Sequence, residues 1–438
     1  MPQCFTSRLS FRLLLVCCLP LLSACSARSS LPSQESQLEK LEEAMNSGVY
    51  KPARGFAIDS SHDIWTHDGT ELDVEMTGPS APGSYPLIIY LPSLGEDAKA
   101  GRLWREAWAK AGYAVFSMQP LAISQALKAL EAERRFDEPL EMLDEEGMEP
   151  VDDMEEPRRK PESGGWFGNK PRQPSRTARE SELRYVGHQY FAVDNLKQRM
   201  EHLFWAYRQL KIRVGLRQPA YAAADVSKVI LAGYDLGAQT VAAVSGERFD
   251  ASLPIGDELK PIAAIVLSPS VDLAEGNVGS RYQKLNLPML VITGSEDNDP
   301  YAISSAAVRT AVWEHAPAGG KYLLLLRGAG HRLLAGNELG GRFGLSGSRR
   351  QARSMGGVES GGTGAARRRA LNTGEPASGL FDKAQRYDPN LGYKQVAAVA
   401  SVSSAFLDML FKKDQFAQAW LNEKATKWLD RAGSLQLR

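Results

Sequence analysis

Hydrophobic positions along the chain fall into two rhythms. From Leu87 onward, short continuous apolar runs alternate with longer amphipathic stretches: LIIYLP, YAVFSMQ, KVILAGY, IAAIVLSPS, MLVITGS and YLLLLRG. A strand buried on both faces loses its polar alternation, so this series predicts an α/β protein with a mostly parallel sheet flanked by helices. Ahead of it, FAIDSSHDIWTHDGTELDVEMTGP alternates around HDGT, the pattern of a hairpin turning at Asp-Gly. Between the runs, DNLKQRMEHLFWAYRQLK places Leu196, Met200, Leu203, Phe204, Tyr207 and Leu210 on one helical side, with the charges pointing away. YKQVAAVASVSSAFLDMLFKKD repeats the pattern with Val396, Val399, Phe406, Leu407 and Leu410. Aromatic residues at this spacing read as core.

Three regions stand outside this rhythm. The stretch from about 145 to 182 is acidic and then basic, with Pro and Gly but no clear apolar face, and reads as a solvated insertion. A second, from about 336 to 376, is rich in Gly and Arg and reads as a flexible loop; contact of its arginines with anionic lipid is the sharper alternative. The third is the N-terminus, where Arg8 and Arg12 precede LLLVCCLPLL, a run too short to span a bilayer but ordered like a secretory signal. It ends in LSAC, which resembles a bacterial lipobox, so residues 1–24 are expected to be removed and Cys25 to carry the lipid. SQLEKLEEAMNSG then predicts a short charged helix, giving a tether over 25–48 and one domain over 49–438.

Composition narrows the partners. Basic and acidic residues balance at 52 each, which gives no electrostatic basis for nucleic-acid binding. All four cysteines, Cys4, Cys17, Cys18 and Cys25, lie in the leader segment, so neither a disulfide framework nor a catalytic or metal-binding Cys is expected in the domain. The resemblance to a lipobox implies a cell-envelope protein held on the membrane through Cys25. Ser26 after the cysteine implies, by the same resemblance, the outer membrane of a Gram-negative bacterium.

The chemistry centres on VILAGYDLGAQTVAAVSGE, from Val229 to Glu247: a buried strand, a Gly-bounded turn and a helix, with Asp235 at the tip. A nucleophile elbow needs small residues two before and two after its tip, because backbone meets backbone there, and Gly233 and Gly237 meet that need. Downstream, PMLVITGSEDNDP and then YLLLLRGAGH follow, ending at His331. With these motifs the chain resembles the α/β-hydrolase superfamily, within it the dienelactone-hydrolase-like and platelet-activating-factor-acetylhydrolase-like enzymes, over roughly 63–335 and 393–421. The resemblance implies an α/β-hydrolase fold carrying the two insertions, and the order nucleophile, acid, histidine. It assigns Asp235 as reacting carboxylate, His331 as general base and Asp297 as the orienting acid, with Asp299 as the rival. The oxyanion-hole amides would be those of Leu94 and Leu236.

Departures from the family set the functional question. It usually has Ser at the tip, and often His-Gly where this chain has Pro92 and Ser93. Ser93 lacks bounding glycines and reads as a loop residue. An aspartate at the tip resembles the haloalkane-dehalogenase and epoxide-hydrolase branches, where a carboxylate attacks a saturated carbon. Yet Leu236 stands where a halide-binding Trp commonly follows, and no cap tyrosines are evident. Three readings therefore stand: an active hydrolase in which Asp235 acts as nucleophile or general base on an unidentified ester-like or alkyl, small-molecule or lipid-like substrate; a lapsed hydrolase scaffold that binds an envelope component; and an unrelated α/β protein in which Asp235 is a helix N-terminal acid. No cofactor is expected, and His62, His67, His188, His202 and His315 show no metal-ligand spacing.

Overall fold

The computed structural model describes residues 33–46, 48–128, 176–339 and 390–438. The leader, Cys25 and most of both expected insertions lie outside the described residues.

Nine strands form one mixed sheet in the order β1-β2-β4-β3-β5-β6-β7-β8-β9. They are β1 (Ile58–His67), β2 (Thr70–Pro79), β3 (Tyr85–Leu91), β4 (Ala114–Pro120), β5 (Ala224–Tyr234), β6 (Ala263–Leu267), β7 (Met289–Glu296), β8 (Lys321–Gly330) and β9 (Gly433–Leu437). The six strands β4, β3, β5, β6, β7 and β8 run parallel, with antiparallel β1 and β2 on one flank and β9 on the other. The parallel strands are the six continuous apolar runs of the sequence. The hairpin turns at Asp68 (φ 49°) and Gly69 (φ 77°), both in the left-handed region that a two-residue turn of this hand requires.

Helices cover both faces. The relevant ones are α1 (Gln34–Asn46), α2 (Arg102–Lys110), α3 (Leu121–Gln125), α4 (Arg176–Phe191), α5 (Val193–Gly215), α6 (Leu236–Val244), α7 (His331–Leu334) and α8 (Leu391–Phe411). Successive side chains of a strand point to opposite faces, and β3 divides accordingly. Leu87, Ile89 and Leu91 join a core with Leu196, Met200 and Leu203 of α5 and Val241 of α6. Ile88 and Tyr90 join a second core with Trp104 and Trp108 of α2 and Val399 and Phe406 of α8. By length and composition α8 could cross a membrane, but most of it is buried inside the domain, as a core helix would be.

The stretch read as solvated as far as 182 is already helical from Arg176. Its packed positions include Leu183, Val186 and Phe191, while the sequence RTARESE over 176–182 carries no apolar stripe to announce a helix. These residues join Leu94, Ile123, Leu236 and Tyr301 in a third apolar cluster, built from the loops and helices that follow β3, β4, β5 and β7. The cluster sits at the carboxyl ends of the parallel strands, where ligand sites of open α/β sheets form.

Candidate active site

The turn between β5 and α6 is strained. Asp235 at its tip has φ 50° and ψ −107°, a conformation that costs a non-glycine residue on the order of 1–3 kcal/mol and persists only where its surroundings impose it. Those surroundings are backbone. A Cβ on Gly233 would lie 2.5 Å from the carbonyl carbon of Gly237, and one on Gly237 would overlap the carbonyl oxygen of Leu91. The Asp235 N–H donates to the Leu267 carbonyl at 3.0 Å, tying the tip to the end of β6.

The carboxylate of Asp235 is fully buried, and its two oxygens differ. Oδ2 accepts the hydroxyl of Ser93 at 2.7 Å. Among the described residues Oδ1 has no hydrogen-bond partner, and it lies 3.8 Å from Nε2 of His331. Ser93, read from sequence as a loop residue, is in the loop after β3 and touches the Asp235 carboxylate; only its closeness to the expected amide of Leu94 hinted at that.

His331 opens α7 directly after β8, and its ring is fixed from the other side. Nδ1 is 2.8 Å from Oδ1 of Asp297, and since a carboxylate only accepts, this nitrogen carries the proton. Asp297 is fully buried just beyond β7. Its Oδ2 accepts from Ser268 Oγ at 2.5 Å and Thr293 Oγ1 at 2.7 Å. Arg309, also fully buried, places Nε 3.3 Å from Asp297 Oδ1 and donates to the backbone carbonyls of Asp297 (2.7 Å) and Ser268 (2.6 Å). The rival Asp299 instead accepts backbone N–H groups from Tyr301 (2.7 Å), Ile303 (3.2 Å) and Ser304, and so shapes its own loop. Neither Arg309 nor Thr293 carried a sequence signal.

Burial alone would raise the Asp235 carboxyl, but the His331 charge, Arg309 and the Ser93 hydroxyl outweigh it and hold it below its ordinary value. Asp297 is likewise pulled down to about 2 against its burial, by His331, Arg309 and Ser268. Burial would lower His331, yet Asp235 and Asp297 together raise it to about 9. At neutral pH the site therefore holds two carboxylates around one imidazolium.

The raised histidine makes stability pH-dependent. Its folded value of about 9 exceeds the ordinary 6.5, so its contribution is complete below pH 6.5 and is lost as pH rises through 9. Over that window the loss is roughly 3 kcal/mol by linkage. Glu96 and Glu247, each raised to about 7, lose their share lower, between 4.5 and 7. Urea midpoints at pH 7 and 9.5 should fall for the wild type and stay level once His331→Gln is combined with Asp235→Asn, which removes the carboxyl that the lost imidazolium would leave to titrate; parallel falls in both would refute the imidazolium pairing.

Two backbone amides adjoin Asp235 and Ser93 in the chain. Leu236 is the first residue of α6, where helix N–H groups have no intrahelical acceptor, and Leu94 follows Ser93. Neither amide donates to a protein acceptor among the described residues. A buried bracket fixes the roof: Arg199 donates to Tyr190 O, to Thr240 Oγ1 at 3.0 Å and to Gln239 Oε1, while Gln239 Nε2 donates to Phe191 O at 3.0 Å. It satisfies the last carbonyls of α4 and ties that helix to α6 one turn beyond Asp235.

Of the other histidines, His62 meets Asp73 at 2.5 Å, and His67 and His202 face each other through their Nδ1 atoms at 2.9 Å. Among the described residues no group of three or more His, Cys, Asp or Glu could hold a metal ion. No family model matches the chain, and no curated protein matches it.

Proposed function

We propose that this chain is a hydrolase of the α/β-hydrolase type that works through a covalent ester of Asp235. The observation that carries the reading is the buried carboxylate whose Oδ1 has no partner among the described residues, 3.8 Å from Nε2 of a histidine whose other nitrogen is held by Asp297. The placement supports the fold assignment: tip after β5, acid after β7, histidine after β8, and a second amide from the loop after β3.

The chemistry follows from the charges. Oδ1 attacks a saturated carbon; the new O–C bond forms as the bond to the leaving group breaks, and the leaving group takes the electron pair. The ester is neutral, so the charge that did most to raise His331 disappears. The imidazolium gives its proton to solvent and becomes a base only after the first step. It then takes a proton from water attacking Cγ. The oxyanion meets the amides of Leu94 and Leu236, and collapse expels the alcohol, protonated by His331, as Asp235 re-ionises. An acyl ester is the poorer substrate, because carboxylate attack would give a mixed anhydride uphill of the ester.

His331→Gln should trap the intermediate. Full-length protein in detergent, as the proposed anchor at Cys25 requires, is incubated with 1-bromohexane at alkaline pH, because losing the imidazolium lets burial raise Asp235. Peptide mass spectrometry should find one hexyl group per chain on the Asp235 peptide, and none when Asp235→Asn is added. An unmodified Asp235 would sink the alkyl-enzyme mechanism and leave the binding-scaffold reading.

A further inference from the structure

The charged helix α1 carries one apolar stripe, Leu38, Leu41 and Met45, at helical spacing. The helix packs on α8, but the stripe is not closed over: Leu38 is 45% exposed, and Leu41 and Met45 are only half-buried. It faces a gap whose other walls are Leu103 and Ala107 of α2 and Val396 and Ala400 of α8. These walls surround a cavity of about 420 Å³, inside the range of about 300–1,000 Å³ that small-molecule sites occupy. None of the three helices supplies Asp235, Asp297 or His331, so the cavity is separate from the reacting centre.

The lining is apolar within and cationic at the edge. Of its polar groups, Tyr50 Oη already donates to Asp408 at 2.7 Å, Ser401 Oγ donates to the Met45 sulfur at 3.6 Å, and Ser404 adds one hydroxyl. Lys51, Arg102 and Lys110 stand exposed at the rim. Arg102 and Lys110 both reach Glu106, each at 3.2 Å, and Lys51 donates to the neutral amide of Asn46 at 2.9 Å. Three cations thus meet one carboxylate, which leaves an excess of two positive charges.

Water is a poor occupant of such a space, because apolar walls offer it no partners; cavities of this kind stay dry or take apolar guests. A guest that satisfies both wall and rim is apolar along its length and anionic at one end.

We propose that the cavity binds a single long-chain fatty acid, its chain between α1, α2 and α8 and its carboxylate at Lys51, Arg102 and Lys110. Charge separates this occupant from the lipid expected on Cys25, whose acyl groups end in neutral ester and amide links and give the rim nothing to pair with. Size separates it from a two-chain phospholipid, since the cavity lies near the lower end of the range for ligand sites.

The test uses full-length protein in cholate, a detergent without an acyl chain. Palmitic acid carrying a mid-chain diazirine is added, the sample is irradiated, and the label is mapped by peptide mass spectrometry. Labelling should saturate at one per chain, on peptides from α1, α2 and α8. Unlabelled palmitic acid should compete, and hexadecanol about tenfold less well, the loss expected for one contact to a charged group. Lys51→Glu combined with Lys110→Glu should weaken labelling by a similar factor. Ala400→Phe should abolish it by filling the cavity, and Ala107→Phe fills the same space from the opposite wall, so the outcome does not depend on one variant folding. Label scattered over the surface without saturation overturns the site. Equal competition by acid and alcohol overturns the carboxylate seat, and labelling that survives both Phe variants overturns the cavity as its location. Labelling that appears only in Cys25→Ser would mean that the chain's own anchor fills the space, which overturns the free-acid reading.

Discussion

Asp235→Asn should abolish turnover, and Asp235→Ser should replace it with ester cleavage. An amide at the tip keeps the shape and the Ser93 contact but lacks the nucleophilic charge, so hexanol release from 1-bromohexane should drop by on the order of 10⁴-fold or more. Serine changes the chemistry instead. Without the Asp235 charge, His331 falls from about 9 toward its ordinary range and can serve as a base at neutral pH, still oriented by Asp297 at 2.8 Å. The hydroxyl would stand beside the Leu94 and Leu236 amides, which completes an acyl-transfer site. Nitrophenyl acetate hydrolysis by Asp235→Ser should exceed that of the wild type by about a hundredfold. An Asn variant as fast as the wild type would remove Asp235 from the reaction. A silent Ser variant would mean that the two amides do not serve an oxyanion.

Burial decided how much of this could be read from sequence. The six parallel strands announced themselves because both faces are covered, leaving Leu87 to Leu91 or Ala263 to Leu267 without a polar interruption. The elbow was legible for a different reason: Gly233 and Gly237 are demanded by backbone contacts that span only a few residues. Asp297 and His331 were expected from the family resemblance, and each follows directly on a strand, where the chain passes Asp235. The support around them left no such trace. Arg309 reaches Asp297 from a loop twelve residues on, Ser268 comes from the end of β6, and Arg199 grips the far end of α4 from inside an otherwise ordinary amphipathic helix. Ser93 belongs to a loop whose path no periodicity encodes, and its contact emerges only once Asp235 is brought to it. β9 gave no usable signal either, since a five-residue antiparallel edge strand is short and half-exposed.

Gly237→Ala should be the most damaging single methyl in the domain. The added Cβ would overlap the carbonyl oxygen of Leu91 and come within 2.8 Å of that of Pro92, both backbone atoms with no rotamer to change. Nor can that segment retreat. Leu91 is in register with Gly233 on the neighbouring strand, and Gln119 Nε2 holds the Ser93 carbonyl at 2.7 Å. Relief would therefore have to separate β3 from β5 or lift α6 off the sheet, and either movement also pulls Leu94 and Ser93 away from Asp235. A loss of at least about 3 kcal/mol is expected, at the upper end of what overpacking costs. Gly215→Ala supplies the contrast: that glycine is exposed at the end of α5 with nothing within 4 Å of the added carbon, so the variant should gain up to about 1 kcal/mol from helix propensity. Urea midpoints of the two variants should move in opposite directions from the wild type. If Gly237→Ala unfolds with the wild-type midpoint, the close backbone approach is not what holds the elbow, and the strain at Asp235 must be imposed from elsewhere.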